Sequence, residues 1–288
     1  MSVPFKVDLN GKVAVVTGGG GVLCGAMAKA LAECGAAVAV ADLKLEAAQR
    51  VADEITAAGG KAMAVACNAL EKESLEAANA QIEATLGPVA ILINGAGGNH
   101  PKGTTAMEYL NPDDLLKENR DFVTFYDLDP KGIEFVFNLN FLGTLLPTQA
   151  FTKRMALGRS GVVINVSSMN AFRPLTKIPA YSAAKAAVSN FTQWMAVHMA
   201  KAGIRVNAIA PGPVDTAMAK KVHTPDIRAD YHDAIPLNRY GSEDEIANGV
   251  WFLCSDEASY VNGQTLAVDG GFDAVGIGLP SLRGVPAR

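Results

Sequence analysis

The stretch KVAVVTGGGGVLCGAMAKALAECG, residues 12–35, contains the clearest signal for the fold. It begins with a short apolar run rich in valine, continues through four glycines from Gly18 to Gly21, and ends in an alanine-rich segment closed by Gly35. The first part is typical of a buried strand, and the last part of a helix. The sequence therefore predicts a strand, a glycine turn and a helix in direct succession.

The glycine turn has the composition of a dinucleotide-binding loop, but its spacing is irregular. Glycines allow a pyrophosphate to approach the backbone, and the amides at a helix N-terminus bind the anion. Counted from Gly18, a Gly-x-x-x-Gly-x-Gly pattern requires glycine where Val22 and Cys24 stand, and Gly21 and Gly25 lie one place away. For this stretch alone, a plain glycine turn is an equal alternative.

The rest of the chain repeats the alternation of strand and helix. The segment AAVAVAD, which ends in Asp42, is a second apolar strand. Further strands are predicted over 61–66, 90–93, 162–166, 204–210 and 264–268, and helices over 45–58, 72–86, 131–156, around Tyr181 and over 243–254. This alternation predicts an α/β fold with a parallel sheet and helices on both of its faces.

The residues that end the second and third strands bear on the choice of cofactor. Asp42 stands about twenty residues after the glycines. A carboxylate there accepts hydrogen bonds from both ribose hydroxyls of NAD and repels the 2′-phosphate of NADP, which predicts NAD(H). Asp42 as a turn residue is the alternative, and Lys44 softens the local charge. Asn68 either binds adenine or forms a turn.

The stretch GVVINVSSMNAFRPLTKIPAYSAAKAAVSNFTQW, residues 161–194, predicts the chemistry. Its strand ends at Ser168, and Tyr181 and Lys185 are four residues apart on one helix face. A cation ~4 Å away at an effective dielectric of ~20 contributes ~4 kcal/mol, which would lower the pKa of the phenol by roughly three units. We therefore expect Lys185 to activate Tyr181 as a general acid/base and Ser168 to bind a substrate oxygen. A structural tyrosine with a solvent-directed lysine is the common alternative for this spacing.

Composition limits the possible functions. The chain has 288 residues, of which 49% are hydrophobic and 19% charged, and this predicts one folded domain over 1–288. A net charge of -4 gives no reason to expect a nucleic-acid partner, and no apolar run approaches the ~20 residues of a membrane span. Four scattered cysteines and four histidines predict reduced thiols in a cytoplasmic protein and no metal site.

Two segments interrupt the alternation. Residues 99–129 are mixed, aromatic and acidic, and we interpret them as an insertion that forms a wall or lid over a substrate site. Asn99 and His100 would be nearest to the chemistry, although an ordinary loop histidine is an equal alternative. Residues 213–240 are predicted to form a polar, loop-like flap, in which any single residue is more readily explained as solvated surface. The tail 281–288 is predicted to lie on the surface or in a subunit contact.

Together these motifs resemble the short-chain dehydrogenase/reductase family over about residues 9–273. The resemblance rests on Thr17-Gly18, Asp42, Asn94-Gly95-Ala96-Gly97, Asn140, Ser168, Tyr181-x-x-x-Lys185, Pro211-Gly212 and Asp269-Gly270-Gly271. It implies a Rossmann-type, doubly wound, parallel seven-stranded sheet with strand order 3-2-1-4-5-6-7. It also implies a homotetramer, formed through the helices that begin near Lys131 and Tyr181.

The resemblance also implies the roles of the site residues. Tyr181 would exchange a proton with the substrate oxygen, Ser168 would steady that oxygen, Lys185 would hold the nicotinamide ribose, and Asn140 would link Lys185 to solvent through a water. The residues that it implies around NAD(H) are Gly18, Gly21, Val22, Leu23, Asp42, Leu43, Asn68, Ala69, Asn94, Ala96, Gly97, Tyr181, Lys185, Pro211, Gly212, Val214 and Thr216. Thr216 would hold the nicotinamide carboxamide.

Three runs are similar to one branch of this family, D-mannonate oxidoreductase or fructuronate reductase. They are Asn99-His100-Pro101, NLNFLGTLLPTQ at 138–149 and SSMNAFRPLTKIPAYS at 167–182. The similarity implies a sugar-acid substrate, with contacts from Asn99, His100, Asn170, Arg173 and Lys177. The two cations among them would bind the carboxylate, and solvated surface is their alternative. Other possible functions are a gluconate, polyol or hydroxysteroid dehydrogenase and a non-catalytic NAD-binding sensor.

Overall fold

The computed structural model of the protein describes residues 7–117 and 121–275, so the tail segment 281–288 lies outside the described residues. Seven strands form one parallel sheet in the order β3-β2-β1-β4-β5-β6-β7, which confirms the predicted topology. The strands are β1 (Val13–Thr17), β2 (Ala37–Asp42), β3 (Lys61–Ala66), β4 (Val89–Asn94), β5 (Gly161–Val166), β6 (Ile204–Pro211) and β7 (Thr265–Val268).

Helices cover both faces of this sheet. They are α1 (Val22–Glu33), α2 (Leu45–Ala57), α3 (Lys72–Thr85), α4 (Pro112–Leu115), α5 (Pro130–Phe137), α6 (Gly143–Phe151), α7 (Lys153–Gly158), α8 (Pro179–Met199), α9 (Ala217–Val222), α10 (Pro225–Ala234) and α11 (Glu243–Cys254). In the described part of the chain, no helix is both long and apolar enough to cross a membrane.

Strand β1 shows why these apolar runs become central strands. Its side chains alternate between two hydrophobic clusters, with Ala14 and Val16 on the side of α1, α2 and α11. Val13 and Val15 belong to the opposite cluster, with α3, α6, α7 and α8. A parallel sheet that is covered on both faces needs apolar residues at successive positions, which is the pattern that the sequence shows.

The long helix predicted over 131–156 is interrupted. A π-helical turn (Asn138–Leu142) separates α5 from α6, and Thr152 separates α6 from α7. Inside the π-turn, the Asn140 side chain donates through Nδ2 to Val136 O at 2.8 Å and to Gly98 O at 2.7 Å. Single π-turns within helices are frequent at functional sites, and this one fixes the position of Asn140.

The prediction of a loop-like segment at 217–240 is wrong, because the segment contains α9 and α10. The side chains of Thr216 and Thr224 cap them, accepting from Ala219 N at 3.1 Å and from Ile227 N at 3.3 Å. The two ends of the flap are joined by a β-bridge between Val214 and Gly241. The flap is therefore a helical hairpin closed at its base.

The described parts of the insertion, 99–117 and 121–129, contain little regular structure. There are two 3₁₀ turns, Pro101–Gly103 and Phe125–Asp127, and the single turn of α4. The backbone N–H of Thr105 donates to Lys177 O at 2.9 Å, which attaches the insertion to the loop before α8. The insertion thus lies beside the segment that leads to Tyr181.

Candidate active site

The carboxyl ends of the central strands bring the predicted site residues to one edge of the sheet. Thr17 of β1 is in register with Asn94 of β4, which is in register with Asn165 of β5. Because parallel strands end at the same edge, the segments that follow them are neighbours there. These segments are the glycine loop 18–21, the Gly95–Gly98 turn, Ser167-Ser168 and the turn after Pro211.

The glycine loop and the Gly95–Gly98 turn pack backbone against backbone. Gly18 has a φ of +65°, and a Cβ there would lie 3.0 Å from Ala96 N. The loop leads into α1, whose N-cap, Gly21, offers no side-chain cap, and the first turn carries no acidic residue. The first amides of α1 are therefore available for an anion, and the loop fits the pyrophosphate of a dinucleotide.

Val22 and Cys24, which replace two glycines of the expected pattern, do not occupy the space in front of the glycine loop. Val22 is the first residue of α1 and is 48% exposed. Cys24 is buried, and its Sγ lies 3.7 Å from Gly95 O, so its side chain is directed at the neighbouring turn. Burial raises the pKa of the Cys24 thiol to about 11, which keeps it protonated at neutral pH.

Asp42 ties the glycine loop to the turn that follows β2. Its Oδ2 accepts from Gly20 N at 3.1 Å and its Oδ1 from Lys44 N at 2.9 Å. A carboxylate has about four acceptor positions, so Asp42 can also accept from ribose hydroxyls. The Arg50 guanidinium, which sequence reasoning missed, donates to Gly20 O at 3.0 Å and holds the loop from the other side.

The remaining positions predicted around the adenosine are close to Asp42. Asn68 accepts from Leu70 N at 3.0 Å through its side-chain oxygen, so it forms a turn while its amide nitrogen can still donate to adenine. Leu43 is exposed and Ala69 is buried. Both alternatives for Asn68 are therefore compatible with its position.

A buried network of side-chain amides and hydroxyls joins the carboxyl ends of the central strands to the helices that cover them. The Nδ2 of Asn94 donates to Thr148 Oγ1 at 2.8 Å and to Asn165 Oδ1 at 2.9 Å. In turn, Asn165 Nδ2 donates to Thr192 Oγ1 at 2.8 Å. Asn94 was predicted beside the cofactor, but its side chain is used to join β4, β5, α6 and α8. Sequence reasoning missed Asn165, Thr148 and Thr192.

The Ser168 side chain lies close enough to Tyr181 to interact with its buried phenol. Burial is the main influence on the phenol and raises its pKa, and the interaction with Ser168 opposes this rise. The expectation of a lowered pKa for Tyr181 is therefore wrong, because burial outweighs the influences that favour the phenolate. The proton stays on Tyr181, which makes it a proton donor at neutral pH.

Lys185 is buried beside this pair. Its Nζ donates to Val166 O at 2.7 Å and lies 5.6 Å from the centre of the Tyr181 ring. Burial lowers the pKa of Lys185 to about 8, so most molecules keep the charge at pH 7. The position of α8 is fixed by Ser167, whose hydroxyl donates to Lys185 O at 3.1 Å and lies 2.7 Å from Ser189 Oγ.

Gly97 explains how Asn140 reaches the same place. A Cβ at Gly97 would lie 2.7 Å from Asn140 Oδ1 and 3.2 Å from Lys185 Nζ, so both side chains close on this glycine. Gly98 N donates to Asn140 Oδ1 at 3.2 Å. The four residues predicted to be catalytic are thus grouped at one end of the sheet, and only glycine fits between two of them.

A cavity of about 830 Å³ opens between the insertion and the flap. It is lined by Asn99, Thr104, Glu108, Leu175, Thr176, Lys177, Ile178, Val222, His223, Ile227, Asp230, Tyr231, Ala234 and Phe272. Two of the predicted substrate residues, Asn99 and Lys177, are among them. Lys177 Nζ is paired with Glu108 Oε1 at 3.3 Å. Half-exposed ion pairs of this kind contribute only ~0.2–1 kcal/mol to stability, so Lys177 can release Glu108 and bind another anion.

Other predicted substrate residues have different surroundings. Arg173 donates to Asp273 O at 2.9 Å and to Val275 O at 2.9 Å, and it does not line the cavity. His100 accepts from Lys102 N at 3.2 Å and caps a 3₁₀ turn, so the loop-histidine alternative fits it better. Asn170, beside Ser168, is buried, and its side-chain oxygen has no hydrogen-bond partner among the described residues.

The flap adds an aromatic cluster that the sequence did not reveal. His223 Nδ1 is 2.9 Å from Tyr240 OH, and the His223 ring stacks on Tyr231 with centroids 5.3 Å apart. Burial and the nearby Arg228 lower the pKa of His223, so its imidazole is neutral at pH 7. Arg228 lies over the Tyr240 ring at 4.5 Å and is paired with Asp215 at 2.8 Å.

The turn after β6 is held rigidly. Gly212 N donates to Val268 O at 3.0 Å, and a Cβ at Gly212 would lie 2.5 Å from the Asp269 Cα. Val214 is buried in the β-bridge to Gly241. The Thr216 hydroxyl accepts from Ala219 N as the cap of α9, which leaves its proton to be donated to a ligand such as a carboxamide.

The chain matches known proteins over nearly its whole length. A family model described as enoyl-(acyl carrier protein) reductase matches residues 23–273. An uncharacterized oxidoreductase of Haemophilus influenzae is 50% identical over 282 residues, which cover 95% of this chain and 97% of the relative. An oxidoreductase of Bacillus subtilis named UxuB is 45% identical over 94% of this chain and 98% of the relative.

A solved structure supports the same assignment. It comes from Haemophilus influenzae, is described as a proposed D-mannonate oxidoreductase with bound NAD, and is 47% identical to this chain. The TM-score is 0.89, and the match covers 94% of this chain and 98% of that one. Strand order, the grouped Ser168, Tyr181 and Lys185, and these matches agree: the chain belongs to the short-chain dehydrogenase/reductase family of oxidoreductases, which act on CH–OH groups.

Proposed function

We propose that the protein transfers a hydride between NAD(H) and a sugar acid, in the pair D-mannonate and D-fructuronate. The observation that carries this proposal is the grouping of Ser168, Tyr181 and Lys185 at the sheet edge where α1 presents uncapped amides. The Haemophilus influenzae structure supports the cofactor through its bound NAD and the substrate through its description as a proposed D-mannonate oxidoreductase.

The residues of this edge fit a nicotinamide dinucleotide. The amides that follow Gly18 would hold the pyrophosphate, Asp42 the adenosine ribose, and Lys185 with Tyr181 the nicotinamide ribose. When bound, NAD(H) supplies the carbon that gives or takes the hydride. The charge of Asp42 opposes a 2′-phosphate, which favours NAD over NADP.

The side chains of the site move and stabilise the proton. In the direction of reduction, Tyr181 donates its proton to the substrate oxygen, and its raised pKa means that the proton is present at neutral pH. Ser168 donates a hydrogen bond to the same oxygen as negative charge develops there. The charged form of Lys185 stabilises the phenolate that is left, and Tyr181 takes the proton back in oxidation.

The cavity supports a polar, charged substrate. Asn99 and Lys177 provide a donor amide and a cation, and Asn170 provides an unpartnered acceptor beside Ser168. A gluconate, polyol or hydroxysteroid dehydrogenase is the alternative enzyme, and it would use the same proton-transfer residues. A non-catalytic NAD-binding sensor is the less favoured alternative, because a sensor does not need Ser168 and Lys185 grouped around a buried Tyr181.

The test is a set of initial rates with D-fructuronate and NADH, repeated with NADPH, and in reverse with D-mannonate and NAD. We expect turnover with fructuronate and at least a tenfold preference for NADH. NADH binding without turnover of either sugar acid would contradict the substrate, and a panel of gluconate, polyols and hydroxysteroids would then identify the alternative. The cytoplasmic location and the homotetramer stay predictions from the sequence.

A further inference from the structure

The ion pair of Lys177 and Glu108 joins two segments at the mouth of the cavity. Lys177 belongs to the loop before α8, four residues ahead of Tyr181, and Glu108 belongs to the insertion. The side chains are 43% and 56% exposed, with 3.3 Å between Nζ and Oε1. The hydroxyl of Thr176 also donates to Glu108, through Oε2. Glu108 is thus held by two neighbours on the same loop.

The charges around the cavity make this pair unusual. Among the described residues that line it, Lys177 is the only lysine or arginine, whereas Glu108 and Asp230 are both acidic. His223 also lines it, and its lowered pKa leaves it neutral at pH 7. A substrate carboxylate that enters the cavity therefore meets Lys177 as the one lysine or arginine among the described lining residues, and Glu108 already forms an ion pair with it.

Resting on the proposed function, we propose that Glu108 is a specificity-determining residue that competes with the substrate carboxylate for Lys177. An acid substrate displaces Glu108 from Lys177, because the pair is exposed and weak and the incoming carboxylate brings hydroxyl contacts of its own. The displaced Glu108 then turns away from the bound anion. A neutral polyol leaves the ion pair closed and gains nothing from Lys177.

The exchange predicts opposite effects for the two partners. In Glu108→Gln, the competitor has no charge, so D-mannonate should bind about fivefold more tightly. In Lys177→Met, the cation is lost, so D-mannonate should bind about 10- to 100-fold more weakly. D-mannitol, which has the same hydroxyl-bearing chain without the carboxylate, should bind equally to all three forms.

The experiment is calorimetric titration of D-mannonate and D-mannitol into the full chain with NADH present, a pair that cannot react. Lys102→Met is the matched control, because Lys102 forms an ion pair at 3.1 Å with Asp129 in the same insertion but does not line the cavity. This control should change neither dissociation constant.

The outcomes separate the inference from the proposed function. Turnover of mannonate by the wild type, together with unchanged or weaker mannonate binding in Glu108→Gln, would overturn the inference alone. So would a loss of mannitol binding in Glu108→Gln, which would make Glu108 a ligand for a hydroxyl. If the three forms bind mannonate and mannitol as expected but the wild type turns over neither sugar acid, the competition between Glu108 and the carboxylate would stand and the proposed function would be overturned. No mannonate binding in any form would overturn both.

Discussion

The sheet edge and the outer wall of the cavity are built by different means. At the edge, polar side chains such as Asn94, Asn165 and Ser167 are buried and joined by hydrogen bonds of 2.7–3.1 Å. In the wall, formed by the insertion, the loop before α8 and the flap, ion pairs such as Lys177–Glu108 and Lys220–Asp215 are partly exposed. Leaving a buried polar group without a hydrogen bond costs free energy, whereas breaking an exposed ion pair costs little.

This difference assigns a task to each region. Proton transfer needs fixed geometry, and the buried network holds Ser168, Tyr181 and Lys185 on elements that cannot shift independently. Under the proposed function, substrate selection needs contacts that open and re-form, and the partly exposed ion pairs of the wall are of this kind. Variants at the edge should therefore have large effects on turnover, and variants in the wall should have smaller effects on affinity or mobility.

Replacing Tyr181 by Phe should have the largest effect. The substitution keeps the ring and removes the proton donor, so kcat should fall by about 10³-fold, within the range of general acid/base catalysis. NADH binding, followed by fluorescence titration, should be unchanged. The control is Tyr260→Phe at a fully exposed position, which should retain wild-type rates. Retention of more than a tenth of the activity in Tyr181→Phe would refute the assigned role.

Lys185→Met should separate activity from stability. Turnover should fall by about 10²-fold, because the charge beside Tyr181 is lost. At pH 7 the free energy of unfolding should rise by about 1–2 kcal/mol, because burial has lowered the pKa of Lys185 to about 8 and the folded protein bears the cost of holding the charge. The lost hydrogen bond to Val166 O reduces this gain.

The pH dependence of this gain has a defined sign. Between about pH 8 and the ordinary lysine value of 10.5, the unfolded chain binds more protons than the folded one. The stability of the wild type should therefore rise with pH in that window relative to the variant, and the difference should disappear above it. Urea unfolding at pH 7 and pH 9.5 measures the difference in free energy of unfolding between the wild type and Lys185→Met. The control is Lys201→Met, at an exposed position. An equal difference at both pH values would contradict the explanation.

Asp42→Asn should have a moderate effect, on cofactor choice. The substitution keeps the shape and one of the two hydrogen bonds from Gly20 N and Lys44 N, because an amide has a single acceptor oxygen, and it removes the charge that opposes a 2′-phosphate. The ratio of NADPH to NADH dissociation constants should fall by about tenfold. Asp53→Asn, at an exposed position of α2, is the matched control. An unchanged ratio would mean that another group selects the cofactor.

Asp215→Asn should have the smallest effect and should be confined to the wall. Asp215 pairs with Lys220 of α9 and Arg228 of α10, and these contacts hold the pKa of its carboxyl below the ordinary range. Without them, limited proteolysis within 217–240 should be about two- to fivefold faster, while kcat is unchanged. Asp233→Asn, exposed on α10, serves as the control. A fall in kcat would show that the flap also positions the catalytic residues.

The strands could be predicted from the sequence nearly to the residue, because each is a short apolar run with a sharp polar or glycine boundary. The prediction for β3, for example, has the observed bounds, Lys61–Ala66. The helices of the flap could also have been found, since Thr216 and Thr224 stand at N-cap positions and Pro225 opens α10. Their polar composition conceals them, because little apolar periodicity marks them as helices.

Other features depend on the folded structure and leave no local signal. The bond of Asn94 to Asn165 joins residues 71 positions apart, and the pair of Lys177 with Glu108 joins two loops. The pKa of Tyr181 was predicted in the wrong direction because the spacing of Tyr181 and Lys185 reveals their proximity but not the burial of the phenol. Spacing motifs identify which groups meet, and only packing decides their protonation.

The paired ends of the flap have a consequence for how this enzyme can diverge. Val214 and Gly241 lie side by side where the flap leaves and rejoins the body of the protein, and Gly241 accepts from Asp215 N and donates to Pro213 O, both at 2.9 Å. Residues 215–240 therefore form a cassette that can be lengthened, shortened or exchanged without changing the distance between β6 and α11. A chimera that takes this cassette from a relative should therefore keep the strand ends that group Ser168, Tyr181 and Lys185.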